Sequence, residues 1–199
     1  MQTPYYIVKE FENTIAEYAN APYAVAVSSC TNALLLCCLY YKVKWVHIPK
    51  YTYPGAACSI IHAGGKVSFT DEDWQGAYQL RPYSIYDSAL RLRRGMYVPG
   101  SLYCLSFHYK KHLPIGRGGM ILTDSIGAYT WLKMMRFDGR QECSLQDDAL
   151  SLIGFNMYMT PEQAARGLVL FDFIKDKELP DLKVKDQNYK DLSFVKGYK

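Results

Sequence analysis

Apolar residues at Ile7, Val8, Phe11, Ile15 and Tyr18 recur at helical spacing with Glu and Lys between them. They predict an amphipathic helix ending near Ala19-Asn20. Tyr23 to Val27 alternates small and β-branched residues as a short buried strand does, and Ser28 to Asn32 then opens a second helix, Ala33 to Tyr41. Trp45 to Ile48 is predicted as a strand stopped by Pro49, Pro54 to Ala63 as a helix closed by Gly64-Gly65, and Val67 to Phe69 as a strand. Further strands are expected at Ser84 to Asp87, Leu102 to Ser106 and Met120 to Thr123, and helices at Ile126 to Met135 and Thr160 to Ile174. Strands alternating with helices through short turns imply an α/β fold: three layers, with a mostly parallel sheet and helices on both faces. From Lys175 the chain is charged and loses its period. Residues 1–175 are therefore expected to form the domain, and 176–199 a charged C-terminal tail that frays or packs on a partner.

Composition narrows the classes. Apolar residues make up 49% of the 199 and charged residues 21%, ordinary usage for a chain with a buried core. The net charge of +4 is mild, and the basic residues are scattered apart from Arg91, Arg93, Arg94 and the tail, so no nucleic-acid partner is implied. The six cysteines sit mostly in apolar segments, with no C-x-x-C pair and no His cluster at zinc spacing. They read as small buried hydrophobes in a reducing compartment, with no metal expected. Met1-Gln2-Thr3-Pro4 lacks the basic and apolar regions of a signal peptide, and no apolar stretch is long enough to span a bilayer. A cytoplasmic protein without a membrane partner is expected.

Four separated stretches carry candidate chemistry. Ser28-Ser29-Cys30-Thr31-Asn32 stands between a strand and a helix, where free backbone N–H groups and the helix dipole attract an anion. The same residue types also cap helices generally. Asp87, in Ile85-Tyr86-Asp87-Ser88-Ala89, ends a short apolar strand, the position at which open α/β sheets bind ligands; a helix-capping Asp is the alternative. The third stretch is Ser106-Phe107-His108-Tyr109-Lys110-Lys111-His112, followed by Leu113-Pro114 and Gly116-Arg117-Gly118-Gly119. The fourth is Gly154-Phe155-Asn156-Met157-Tyr158-Met159-Thr160, leading into a helix with Gln163-Ala164-Ala165.

The third stretch resembles the cofactor-lysine segment of the DegT/StrS sugar aminotransferases: Ser-Phe-His-x-x-Lys, Leu-Pro, then a Gly-x-Gly-Gly turn. The fourth is similar to the family's Gly-Tyr-Asn-Tyr-Arg-Met-Thr. The resemblance implies the large domain of the fold-type I aminotransferases, in reduced form, with pyridoxal 5'-phosphate as cofactor. It points to Lys111 as the lysine that bonds the cofactor aldehyde, with Lys110 at a variable position. Ser106 then binds the cofactor phosphate, Cys30, Thr31 and Asn32 line it, and Asp87 keeps the pyridine nitrogen protonated so that the ring acts as an electron sink. Pro49-Lys50-Tyr51-Thr52-Tyr53 places Tyr53 against the ring, and Ala89 lies on the opposite face. Asn156 reaches the phosphate in a neighbouring subunit, which implies a homodimer.

The activity implied is amino transfer from glutamate to a nucleotide-linked keto-sugar. The alternative is a catalytically idle or regulatory pyridoxal-phosphate-binding protein derived from that family. Members that dehydrate a sugar instead replace the lysine, which is present here. This chain departs from the pattern at Leu90, where the family has Gln or His, and at Tyr158, where it has an interface Arg. In full-length members a C-terminal small domain follows the Gln-Ala-Ala helix, and a short form without that domain is expected here.

Overall fold

Helix α1 (Tyr6–Ala19) buries Val8, Phe11, Ile15 and Ala19 along one side. It ends at Asn20, whose left-handed backbone turns its N–H back onto the carbonyls of Ala16 and Glu17. These elements belong to a computed structural model that describes residues 5–198, so Met1-Gln2-Thr3-Pro4 and the last residue lie outside the description. The chain continues through β1 (Tyr23–Val27), α2 (Cys30–Tyr41), β2 (Trp45–Pro49), α3 (Pro54–His62), β3 (Lys66–Thr70), β4 (Tyr78–Gln79) and β5 (Ile85–Asp87). It ends with β6 (Leu102–Ser106), β7 (Gly119–Thr123), α4 (Ile126–Met135) and α5 (Pro161–Asp172). Helix α5 starts on a capping box, in which Thr160 and Gln163 satisfy each other's backbone N–H groups and Pro161 takes the first turn.

The strands alternate their side chains between two cores. Ala24, Ala26, Tyr103, Leu105, Met120 and Leu122 face α1 and α5. Val25, Val27, Leu102, Cys104 and Ile121 face α2, α3 and α4. Helices therefore cover both faces, and the three-layer expectation holds.

The expectation of a mostly parallel sheet does not hold. The main sheet runs β1-β7-β6-β5-β4, and only β5–β6 is a parallel pair; β1–β7, β7–β6 and β4–β5 are antiparallel. A parallel pair needs a long crossover, usually helical. The connection 107–118 between β6 and β7 holds no helix, and β4 returns to β5 through a tight turn. Strands β2 and β3 pair in parallel, and an antiparallel bridge between His47 and Arg81 joins them to the β4 side. Following these pairings, β1, β2, β3, β5 and β6 share one direction and only β4 and β7 oppose it. The carboxyl ends of β1, β2, β5 and β6 thus gather on one edge, where α/β sheets place ligands.

The segment after α5, expected to fray or pack on a partner, folds back on its own chain. It forms short 3-10 turns at Val184–Gln187, Leu192–Phe194 and Lys196–Tyr198, and Leu192 is buried. Among the cysteines, Cys37, Cys38 and Cys104 are buried as expected, Cys30 and Cys58 are half-buried, and Cys143 is exposed.

One charged cluster holds the α1 layer to the sheet. The Arg136 guanidinium, 1% exposed, donates to the carboxylate of Glu12, to the Ala26 carbonyl and to Glu142. Glu12, equally buried, also accepts the Ala26 N–H at 2.9 Å. Removing one member leaves a buried charge short of its partner. Arg136→Ala is expected to destabilise the fold by about 3–5 kcal/mol, read by urea unfolding; a loss below about 1 kcal/mol would show the cluster to be hydrated instead.

Candidate functional site

Val27 ends β1 and Ser29 caps α2, its Oγ accepting the Asn32 N–H at 3.1 Å. That turn leaves Cys30 and Thr31 at the first turn of the helix, facing the edge where strand ends gather. Two glycines allow neighbours to reach it. A Cβ at Gly119 would stand 2.5 Å from the Cys30 nitrogen, and one at Gly55 would stand 2.6 Å from Thr31 Oγ1. Any other residue at either place would push the start of β7 or α3 away from the helix N-terminus. The Ser59 hydroxyl donates to the Thr31 carbonyl at 2.8 Å and ties α3 to the same turn.

A cavity of about 550 Å³ opens at this edge. Cys30 and Thr31 line it from α2, Tyr53 from the start of α3, Asp87 and Ala89 from the end of β5, Ser106 from the end of β6 and Lys111 from the loop after it. Asp87 is 4% exposed. Its Oδ2 accepts the Tyr78 hydroxyl at 2.9 Å and its Oδ1 accepts the Ala89 N–H at 3.0 Å, with Cys30 Sγ 4.0 Å from Oδ1. Tyr78 in turn accepts from Thr52 at 2.8 Å.

Burial pushes the Asp87 carboxyl above its ordinary value, against the opposing pull of its two donors and of the Lys111 charge. Burial pulls the Lys111 amine below its ordinary value, and nearby Lys110 adds to this, while Asp87 and Cys30 oppose it. A carboxylate and an amine therefore share one partly dry cavity. Such a pair can grip a flat ligand that carries a basic ring nitrogen and an electrophilic carbon.

The sequence matches the DegT/DnrJ/EryC1/StrS aminotransferase family over residues 1–88 and 95–178. The chain belongs to that family. Its fold is similar to that of AtS13 from Actinomadura melliaura, with a TM-score of 0.73 and 21% identity over 87% of this chain and 61% of that one. It is also similar to NtdA from Bacillus subtilis, solved with bound cofactor PMP, with a TM-score of 0.73 and 20% identity over 85% of this chain and 48% of that one. A third likeness is to PseC of Helicobacter pylori, an aminotransferase involved in the biosynthesis of pseudoaminic acid: TM-score 0.66 and 16% identity, over 83% of this chain and 57% of that one. The chain thus spans roughly half to three fifths of these structures. No curated protein matches it by sequence. Pyridoxal phosphate is the cofactor of this aminotransferase family.

Two of the expected site residues stand apart from the cavity. Asn32 stands between the lining residues Thr31 and Leu34 of α2 without lining the cavity itself, and its side-chain amide donates to Ser28 Oγ at 2.8 Å. Asn156 is exposed beside the end of β1, and its amide donates to Asp138 at 3.1 Å. Tyr158, at the place of the family's Arg, packs edge-on with Tyr5 and Phe137. Leu90 is fully buried and offers the cavity no polar atom.

Other cavity residues escaped the sequence reading. Arg117 and His108 line it from the loop after β6, and Gln187 and Tyr189 from the segment after α5. Nothing local marks Gln187 or Tyr189 in an unpatterned charged stretch, whereas Arg117, inside the Gly-x-Gly-Gly turn, carried a usable signal.

The raised Asp87 value has a consequence for stability. A carboxyl whose folded pKa exceeds its unfolded one favours the fold below the ordinary carboxylate range, and that contribution is lost as pH rises through the raised value. The Asp87→Asn variant, whose amide can be met by reversing the Thr52–Tyr78 relay, is expected to melt higher than the parent near pH 7 without cofactor. The gain should vanish below about pH 4. Equal melting temperatures across that range would show that Asp87 is hydrated.

Proposed function

We propose that this chain binds pyridoxal phosphate in the cavity between Asp87 and Lys111 and transfers an amino group from glutamate to a keto-sugar carried on a nucleotide. The observation that carries the reading is the meeting of a buried carboxylate and a lowered-pKa amine in one cavity, beside a helix N-terminus suited to phosphate. The residues fit the cofactor. Cys30, Thr31 and Ser106 would hold its phosphate, Asp87 its ring nitrogen, Tyr53 and Ala89 its ring, and Lys111 its aldehyde carbon. When bound, the cofactor supplies an electron sink that stabilises negative charge on the substrate carbon bearing the amine.

The chain's own groups do the rest. Asp87 would stay charged against a cationic ring nitrogen, which would offset the effect of burial. Tyr78 and the Ala89 N–H fix its two oxygens. Lys111 Nζ, whose neutral form burial favours, would accept the proton from the substrate carbon that bears the amine and would deliver it to the carbon that had been the cofactor's aldehyde. Tyr53, 58% exposed at the rim, offers an aromatic face to a flat ring.

The glutamate donor and the sugar acceptor rest on membership of a family of sugar aminotransferases. The second subunit rests on Asn156, which is exposed and outside the cavity of its own chain, and on the 95% exposed Ile153 three residues before it. A homodimer working in the cytoplasm is the assembly this reading favours.

A second reading, a catalytically idle cofactor binder, is favoured by two observations. Leu90 is buried where the family has Gln or His, and Gln187 of the chain itself lies 3.4 Å from the Lys111 amine. Spectra separate the two. With pyridoxal phosphate, the parent protein should show a band near the visible edge that borohydride fixes, and Lys111→Ala should abolish it. Glutamate should then convert that band to the amine form of the cofactor. A band unresponsive to any amino donor would select the idle binder; no band in the parent would sink both readings. Light scattering should give a dimer, and Asn156→Ala should loosen cofactor binding by roughly tenfold, the loss of one charge-assisted hydrogen bond. A cofactor-loaded monomer would contradict the shared site.

A further inference from the structure

The segment that follows α5 crosses the mouth of the cavity and is fastened on both sides of it. On the first side, Asp181 takes two hydrogen bonds from the Arg91 guanidinium, at 2.8 and 2.6 Å, and its side chain is 8% exposed. The Leu182 N–H donates to the Leu90 carbonyl at 2.9 Å, and His112 Nε2 donates to the Pro180 carbonyl at 2.8 Å. These fastenings lie beside the Asp87–Ala89 turn and the Lys111 loop.

On the far side, the Leu192 N–H donates to the Lys50 carbonyl at 3.0 Å, and Leu192 itself is 2% exposed. Lys50 Nζ sits 3.8 Å from Asp191, and the Tyr198 hydroxyl meets Cys58 Sγ at 3.7 Å on α3.

Between the two anchors only a short turn and a few extended residues bridge the opening, and two of their side chains point inward. The side-chain amide oxygen of Gln187 accepts from Lys111 Nζ at 3.4 Å. The Tyr189 ring lies parallel to Trp74 at 6.4 Å, and Trp74 packs edge-on against Tyr78, the residue that holds Asp87. About 550 Å³ remains free beneath, so the segment walls the cavity and does not fill it. We infer that residues 181–192 are a strap that closes the cofactor cavity from within the same chain, with Gln187 as a positioning residue for the Lys111 amine. The strap excludes water where an open cleft would hydrate both ionisable groups. This inference rests on the proposed use of Lys111.

The test reads the amine itself. The groups facing Lys111 are Asp87 at the end of β5, Cys30 on α2, Lys110 and His108 on its own loop, and Gln187 and Tyr189 on the strap. In cofactor-free protein, the rate of acetic anhydride labelling at Lys111 is followed against pH by peptide mass, with exposed Lys42 as internal reference. Gln187→Glu puts a negative charge at the amine. It is expected to favour the charged form by about one pKa unit, slowing labelling at Lys111 about tenfold near pH 8 and not at Lys42.

Asp181→Ala, which unfastens one anchor, is expected to speed labelling at Lys111 and to raise amide hydrogen exchange across 182–191. An unchanged Lys111 profile in Gln187→Glu overturns the positioning role. Exchange of 182–191 in the parent as fast as in a free peptide overturns the strap. If the labelling shift and slow exchange are found but pyridoxal phosphate does not bind, the strap and the positioning role stand and the cofactor reading falls. If the cofactor binds and the shift is absent, the positioning role of Gln187 alone falls.

Discussion

A carboxylate kept out of water at the end of β5 is the constraint around which the rest is arranged. Asp87 would cost the fold less as an amide, yet two donors, the Tyr78 hydroxyl and the Ala89 N–H, are aimed at its oxygens. Both donors depend on local features: Tyr78 stands on β4 directly across from Asp87, and Ala89 lies in the turn two residues on. The pairing of β4 with β5, a minimal two-residue ladder, is thus what orients the acid. A buried charge without a matching cation is a ground state waiting for a ligand, and Lys111 supplies only part of the match.

The chain's reversals then explain why everything converges at one edge. β7 and β4 run against the others, so most hydrogen-bonded pairs are antiparallel. The strands that carry chemistry nevertheless all point the same way. Cys30 and Thr31 after β1, Tyr53 after β2, Asp87 at the end of β5 and Ser106 at the end of β6 come to a single opening. The two close approaches at Gly55 and Gly119 bring α3 and β7 onto the helix N-terminus that faces it. The fold is similar to those of AtS13 and NtdA over about half to three fifths of those longer chains.

Much of this was legible in the residues. Helix bounds near Asn20, Pro54 and Thr160 were read from the residues, because capping is a local matter, whereas α2 starts at Cys30, three residues before the predicted Ala33. The cavity members Cys30, Thr31, Tyr53, Asp87, Ala89, Ser106 and Lys111 came from motifs, and the fold brings them together. Strand direction was not legible. Alternating patterns say which face is buried, but not which neighbour a strand will pair with; that is decided by whether a connection such as 107–118 folds as a helix. The strap was hidden for a related reason. Its fastenings, Arg91 to Asp181 and Lys50 to Leu192, join residues far apart in the chain, and no period in a charged stretch betrays such contacts.

The central claim is that one cavity holds a pyridine ring between the acid at 87 and the amine at 111. It is tested most directly by nitrogen NMR of pyridoxal phosphate labelled at the ring nitrogen and bound to the protein. The account predicts a protonated nitrogen in the parent near pH 8 that becomes unprotonated in Asp87→Asn. A nitrogen that is unprotonated in the parent, or indifferent to the substitution, would contradict it.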